Sequence, residues 1–437
     1  MRTRLRRALS GALVAAALAT TLGGAAVAAP DRACPAPLAG RATCYAGRDA
    51  AGAWYSIAVP ERWNGALVVY AHGGPDDTTS ADGPAADLAS WSALVERGYA
   101  WVGSSYRRGG YGVWMAAADT ESARRRFVET VGRPSRTYLH GQSWGGNVAA
   151  KAAEVHPASW DGVLLTDGLL AGGSRGYDAR VDLRAVYQYY CRNLPGPARA
   201  GLPADSTLTP DDVQARLEAC TGRPGHRTAR QQRVLDDVLA VTRLPERALG
   251  VHLRYATFLF RDIVRRLGGR SPFGNQGVRY TGSHDDRALN AGVERFAADP
   301  AARRDLSYDS DLTGQVRVPV LTLHTIGDPQ VFVENESAYR PPRLVRTFIS
   351  GTGHGGATID EYLAALGALD GWVRTGRAAS PESVAASCTG ACSYVPGYRP
   401  GPFFTRIRPR PGATTWPALT PAQERAWSRI PDVGIAS

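Results

Sequence analysis

Three residues have the types and chain order for nucleophilic acyl chemistry: Ser143, Asp328 and His354. A serine hydroxyl is a poor nucleophile at neutral pH. It needs a base within hydrogen-bond reach and a third group that orients the base. Ser143 sits in Gly141-Gln142-Ser143-Trp144-Gly145-Gly146, between the apolar stretch 137–140 and the small-residue pattern 147–153. In a chain with 49 glycines the Gly-x-Ser-x-Gly run alone is weak. Strand, tight turn and helix in that order give it meaning, because the turn must push the serine Oγ outward while the glycines permit close packing. The helix that follows aims its first N–H groups at the same place.

The partners lie downstream. Asp328 follows the apolar run 318–324 in Thr325-Ile326-Gly327-Asp328-Pro329, and His354 follows 344–349 in Gly351-Thr352-Gly353-His354-Gly355-Gly356. Both occupy glycine-containing loops past the carboxyl ends of strands, where α/β sites form. His354 is the last of eight histidines and the only one after Asp328. An aspartate in Gly-Asp-Pro also suits a plain turn, and Asp167, after the run 160–166, is a second candidate for the acid. His140 is predicted to be buried, and His72 to brace its loop.

Attack on a carbonyl builds charge on its oxygen, which two N–H donors should face. Trp144 supplies one candidate. Gly73 or Gly74, in His72-Gly73-Gly74-Pro75, supplies the other, since Pro75 has no N–H. No metal and no cofactor is expected: the cysteines lack paired Cys-x-x-Cys spacing, and no His-Cys cluster occurs.

The elements that must place these residues follow from periodicity. Runs 54–59, 65–71, 99–104, 138–140, 160–166, 318–324 and 344–349 are predicted strands. Segments 87–97, 119–131 and 359–374 are predicted helices. Alternation of this kind implies an α/β fold with a mostly parallel sheet flanked by helices. Between 173 and 316 no core strand is evident. Amphipathic helices are predicted there at 181–192, 210–219, 229–242, 251–267 and 287–298. This is the pattern of a large helical lid inserted before the strand that carries the acid. Tyr187, Tyr190, Tyr255 and Phe258 on those helices are the candidate substrate contacts, suited to an apolar or aromatic group. The insertion's scattered arginines and its acids Asp178, Asp182, Glu218, Asp236 and Asp237 read as solvated helix faces.

These features resemble the α/β-hydrolase superfamily over 54–172 and 317–376, where the chain order is nucleophile, acid, histidine. His72-Gly73-Gly74-Pro75 together with Gly141-Gln142-Ser143-Trp144-Gly145 also resembles the secreted prolyl and tripeptidyl aminopeptidase branch. Here, however, Asp76-Asp77 follow Pro75, and the insertion has no paired-glutamate segment to hold an amino terminus. Tannases and feruloyl esterases are similar in being secreted with large lids, but residues 142, 144, 353 and 355 are not cysteine. The resemblance implies a serine hydrolase acting on a carboxylic ester, with a short-peptide exopeptidase as the alternative.

Composition sets the compartment and excludes some partners. Residues 1–28 carry Arg2, Arg4, Arg6 and Arg7, an alanine-rich apolar stretch and Ala26-Val27-Ala28, as in a secretory signal peptide. A secreted, extracellular protein is expected, with no membrane span after cleavage. The formal charge is +11, four of it from those arginines, and Lys151 is the only lysine. Basic residues are mixed with acids and form no stripe, so a nucleic-acid partner is not expected. Six cysteines in an oxidising compartment predict three disulfides, and locality pairs Cys34 with Cys44, Cys191 with Cys220 and Cys388 with Cys392. The divisions expected are a disulfide-pinned segment 29–53, core 54–172, lid 173–316, core 317–376 and a Pro/Arg-rich tail 377–437.

Overall fold

The computed structural model describes residues 33–196, 206–401 and 403. The proposed signal segment 1–28 and most of the tail beyond 403 lie outside the described residues. One sheet is built from β1 (Ala42–Arg48), β2 (Trp54–Pro60), β3 (Ala66–Ala71), β4 (Ala100–Ser104), β5 (Arg136–Gln142), β6 (Gly162–Thr166), β7 (Val320–Thr325) and β8 (Leu344–Ile349). The order across it is β1-β2-β4-β3-β5-β6-β7-β8. β1 and β2 run antiparallel to their neighbours; every pair from β4 to β8 is parallel.

The central strands are continuous apolar runs because both faces are covered. On β3, Leu67, Val69 and Ala71 pack on one face, while Val68 and Tyr70 pack on the other. The first face receives α3 (Val113–Thr130) and α4 (Trp144–Val155); the second receives α1 (Gly83–Ser90), α2 (Ser92–Glu96) and α13 (Ile359–Thr375). Between β6 and β7 come α5 (Gly172–Gly176), α6 (Asp178–Cys191), α7 (Pro210–Thr221), α8 (Ala229–Thr242), α9 (Leu249–Arg254), α10 (Phe260–Arg266), α11 (Asp286–Gly292) and α12 (Pro300–Ser310). Their buried residues join the first face in one continuous cluster, so the insertion shares the core of the sheet. Lys151 fixes part of that junction. Its buried ammonium on α4 donates to the carbonyls of Tyr308 and Asp311 at 3.0 and 2.7 Å.

Several elements differ from expectation. Segment 29–53 contains a strand, β1, whose mixed burial hides any apolar alternation because it lies at the sheet edge. The predicted helix 87–97 breaks at Trp91 into α1 and α2. The predicted helix 251–267 is interrupted by a π-helical turn, Tyr255–Leu259. α12 was not expected, although Asp299 caps it by accepting from the Ala302 N–H and Pro300 stands where its missing N–H costs nothing. The tail is partly regular: α14 (Pro381–Ser387) is followed by a bridge from Tyr394 to Ile349 that covers the edge of β8.

The three disulfides pair Cys34–Cys44, Cys191–Cys220 and Cys388–Cys392. Cys191–Cys220 ties α6 to α7 across a separation of 29 residues. Closing that loop stabilises the fold by about 3–4 kcal/mol in the chain-entropy account. Replacing both cysteines by alanine should therefore lower the unfolding free energy by about 3 kcal/mol. A denaturation midpoint unchanged within error would contradict this.

Candidate active site

The serine turn is set by close packing around one strained residue. Ser143 has φ 60° and ψ −127°, a conformation that costs a non-glycine residue about 1–3 kcal/mol. Its neighbours hold it there: the Ser143 N–H donates to the Thr166 carbonyl at 3.0 Å, and its own carbonyl accepts from the Gly146 and Leu169 N–H groups at 3.0 and 2.9 Å. The flanking glycines have ordinary φ and serve packing alone. A Cβ on Gly141 would overlap the Gly145 carbonyl, one on Gly145 would overlap the Ala71 carbonyl, and one on Gly146 would lie 2.7 Å from Gly168 Cα. Hence only glycine lets α4 seat against β3, β5 and the loop after β6.

His354 Nε2 lies 2.8 Å from Ser143 Oγ, and His354 Nδ1 lies 2.7 Å from Asp328 Oδ2. The side chain of Asp328 is wholly buried, whereas that of His354 is 17% exposed. The other carboxylate oxygen of Asp328 accepts from the Gln330 and Val331 N–H groups at 2.7 and 3.1 Å. Asp328 is thus a turn residue with one oxygen and the partner of His354 with the other. Asp167 is engaged differently. It accepts from the Thr325 N–H at 2.7 Å, and His354 is bonded to Asp328 instead. Burial pushes the Asp167 carboxyl up, against the pull of His324.

Beneath the acid lies a group that sequence reasoning passed over. His324, fully buried on β7, donates from Nδ1 to Glu336 at 3.1 Å and from Nε2 to the Val331 carbonyl at 2.9 Å. Burial disfavours its charge, but Glu336, Asp167 and Asp328 outweigh burial and raise its pKa to about 9. Asp167, His324 and Asp328 offer ligand atoms within 4.8 Å of one another. They do not make a metal centre: both ring nitrogens of His324 are engaged as donors, and the Asp328 oxygens are taken by His354 and two backbone N–H groups. The set is a charge cluster in which one imidazolium offsets buried carboxylates. No sequence pattern signals it, since the residues meet across β6, β7 and the following loop.

The turn after β3 is braced as expected of His72, through more partners than foreseen. His72 donates from Nδ1 to Asp87 at 2.7 Å and from Nε2 to Asp76 at 2.9 Å, and its carbonyl accepts from Tyr106 Oη at 2.7 Å. Tyr106 has φ 65°, another strained residue that no motif announces. Burial works against a charged His72, but the two carboxylates raise its pKa to about 10. A raised pKa stabilises the fold fully below the unfolded value of about 6.5, and that stability fades as pH climbs through 10. The melting temperature of the wild type should exceed that of His72→Gln most near pH 6.5, with the gap closing toward pH 10. A gap constant over this range would mean the imidazolium is not the brace.

His140 is buried, sits 3.1 Å from Thr166 Oγ1, and is held neutral by burial, with its pKa lowered to about 3. Of the residues expected to meet substrate, Tyr187 is corrected: it is fully buried in the shared core, and its hydroxyl donates to Asn193 at 2.9 Å. Tyr190 is half-buried and its ring packs on Tyr189, and Phe258 packs against the core. Tyr255 donates to Gln330 Oε1 at 2.7 Å, two residues from Asp328. Of the five insertion acids read as solvated, Asp236 is exposed and Glu218 partly exposed as expected, and three differ. Asp178, Asp182 and Asp237 are buried, bonded to Arg303, Tyr280 and His284 respectively.

The strand order, the serine turn between β5 and α4, and the acid and histidine after β7 and β8 decide the architecture. This is the α/β-hydrolase fold. No protein-family model and no curated protein matches the chain. Similar solved structures include an esterase from Aspergillus oryzae, 16% identical over 78% of this chain and 80% of that one, with a TM-score of 0.41. Feruloyl esterase B from Aspergillus oryzae is 15% identical over 78% and 81%, with a TM-score of 0.40. An esterase from Rhodococcus sp. is 16% identical over 76% and 98%, with a TM-score of 0.36.

Proposed function

We propose that this protein is a secreted serine hydrolase that cleaves carboxylic esters through an acyl-enzyme. The unbroken chain of bonds from Asp328 through His354 to Ser143 carries the reading. Ser143 Oγ attacks the ester carbonyl carbon as its proton passes to His354 Nε2. The electron pair left on the carbonyl oxygen faces the Trp144 N–H, at the first position of α4 and without an intrahelical acceptor, and the N–H of Gly73 or Gly74. Collapse of this intermediate breaks the bond to the alkoxide, which takes the proton from His354. Water then attacks the acyl group, giving a proton to His354 that returns to Ser143 as the acid leaves. Asp328 stays ionised and orients the ring throughout.

The insertion α5–α12 serves as the lid that shapes the pocket, and no cofactor takes part. Three disulfides and the arginine-led segment 1–28 support export. Among the described residues no helix is long and apolar enough to cross a membrane.

The test sets short-chain aryl esters beside unblocked aminoacyl anilides. An exopeptidase must grip a protonated amine with acids facing the pocket, and the insertion's buried acids Asp178, Asp182 and Asp237 are bonded elsewhere. Ester hydrolysis is expected, with kcat/KM on the anilides about 100-fold lower or more, a difference of about 2.7 kcal/mol. Peptidases also cleave activated esters, so the comparison decides. Efficient anilide release from a di- or tripeptide, lost on N-acetylation, would establish an aminopeptidase instead.

A further inference from the structure

Arg180 on α6 is a buried cation with no acid within ion-pair distance among the described residues. It is 7% exposed, and its guanidinium carbon lies over the rings of Tyr177 and Tyr255, 4.9 and 4.7 Å from their centroids. Its Nε–H donates to His252 Nδ1 at 3.2 Å and an Nη2–H to the Gln330 carbonyl at 3.3 Å. His252 donates in turn from Nε2 to the Pro329 carbonyl at 2.8 Å, which makes it the neutral tautomer. Every contact of the guanidinium is therefore with a neutral group, and among the described residues no carboxylate lies within ion-pair distance of it. Asp178, two residues earlier on the same helix, is instead held by Arg303 at 3.0 Å.

The position of Arg180 gives this meaning. Gln330, whose carbonyl it bonds, donates its own N–H to Asp328. On the other side, Tyr177 packs 5.8 Å from Tyr111, which packs 6.1 Å from Trp144, the residue after Ser143. The guanidinium thus stands between the loop of the acid and the aromatic cluster beside the nucleophile. A second arginine, Arg247, donates to the Gly327 carbonyl at 2.9 Å, so the insertion meets both ends of the Asp328 turn with positive charge. Burying a charge without a counter-charge is costly, and such a group bonded to the loop that carries Asp328 is suited to a ligand that brings the charge with it. The forked donors of a guanidinium favour a flat, two-oxygen partner.

We infer that Arg180 anchors a carboxylate on the substrate, so that the ester cleaved is an anionic one. This rests on the serine hydrolase reading and narrows its substrate class. Arg180 is buried, unlike most of the insertion's arginines, which are solvated as expected. The competing role is a brace, in which Arg180 only ties α6 to the 328–331 loop.

Two ester pairs separate these roles and locate the carboxylate. p-Nitrophenyl hydrogen succinate against p-nitrophenyl valerate places it in the acyl group, and 4-carboxyphenyl acetate against phenyl acetate places it in the leaving group. Wild type, Arg180→Gln and Arg180→Lys are compared on both. In at least one pair, Arg180→Gln should lower kcat/KM on the anionic ester about 30-fold more than on its neutral partner, with Arg180→Lys between. Equal losses within each pair would show a brace and overturn the inference. Binding of succinate and 4-hydroxybenzoate to Ser143→Ala, measured by calorimetry, reads the anchor without turnover. At least one should bind, with affinity falling about tenfold or more when Arg180→Gln is added to Ser143→Ala; unchanged or absent binding of both would overturn the anchor. Loss of ester turnover from the wild type with succinate binding intact would instead remove the hydrolase reading and leave a carboxylate site.

Discussion

Ser143→Ala should lower kcat on an activated aryl ester by about 10⁵–10⁶-fold while leaving the fold intact. The size follows from the site. Among the described residues Ser143 Oγ is the only hydroxyl bonded to His354 Nε2, so none of them stands ready to take over attack. Alanine also relaxes nothing, because the positive φ is imposed by the bonds of residue 143 to Thr166, Gly146 and Leu169 through its backbone. The melting temperature should therefore move little. A residual rate within about 100-fold of wild type would place the nucleophile elsewhere.

Asp328→Asn should cost about 10⁴-fold in kcat. The carboxylate uses one oxygen to accept two backbone N–H groups and the other to accept from His354 Nδ1. Asparagine can keep the first role. Its amide NH₂ turned toward the ring would favour the wrong tautomer of His354, with the proton on Nε2 facing serine. Asp167→Asn should cost less than about tenfold, since an amide oxygen can still accept the Thr325 N–H. Reversed results would make Asp167 the acid.

The site was legible where chemistry is written in consecutive residues. The serine turn is a sequence-local object: strand, glycine, serine, glycine and helix occur in order within 137–153, and chain order then singles out His354. Asp328 was harder to separate from Asp167, because both end a core strand and only the three-dimensional bond to Nδ1 distinguishes them. The central strands were legible because burial on both faces makes them apolar throughout. β1 was not, since an edge strand at one side of the sheet needs little apolar alternation.

Side-chain direction inside the insertion was the least legible. Tyr187 and Tyr255 are both aromatic residues on amphipathic helices, yet one points into the shared core and the other toward the Asp328 loop. Arg180 and the acids Asp178 and Asp182 all lie in the first turns of α6, where composition suggested a solvated face. They are buried because Arg303 and Tyr280, more than 90 residues on, return to meet the acids. No local pattern encodes such a return.

The most direct test of the account is to map where a fluorophosphonate attaches to the wild-type protein. The reagent should add once per chain, and peptide mass spectrometry should place the adduct on Ser143, with labelling abolished by Ser143→Ala. Failure of the active wild type to label, or an adduct on any other residue, would contradict the claim that Ser143 is the nucleophile of this fold.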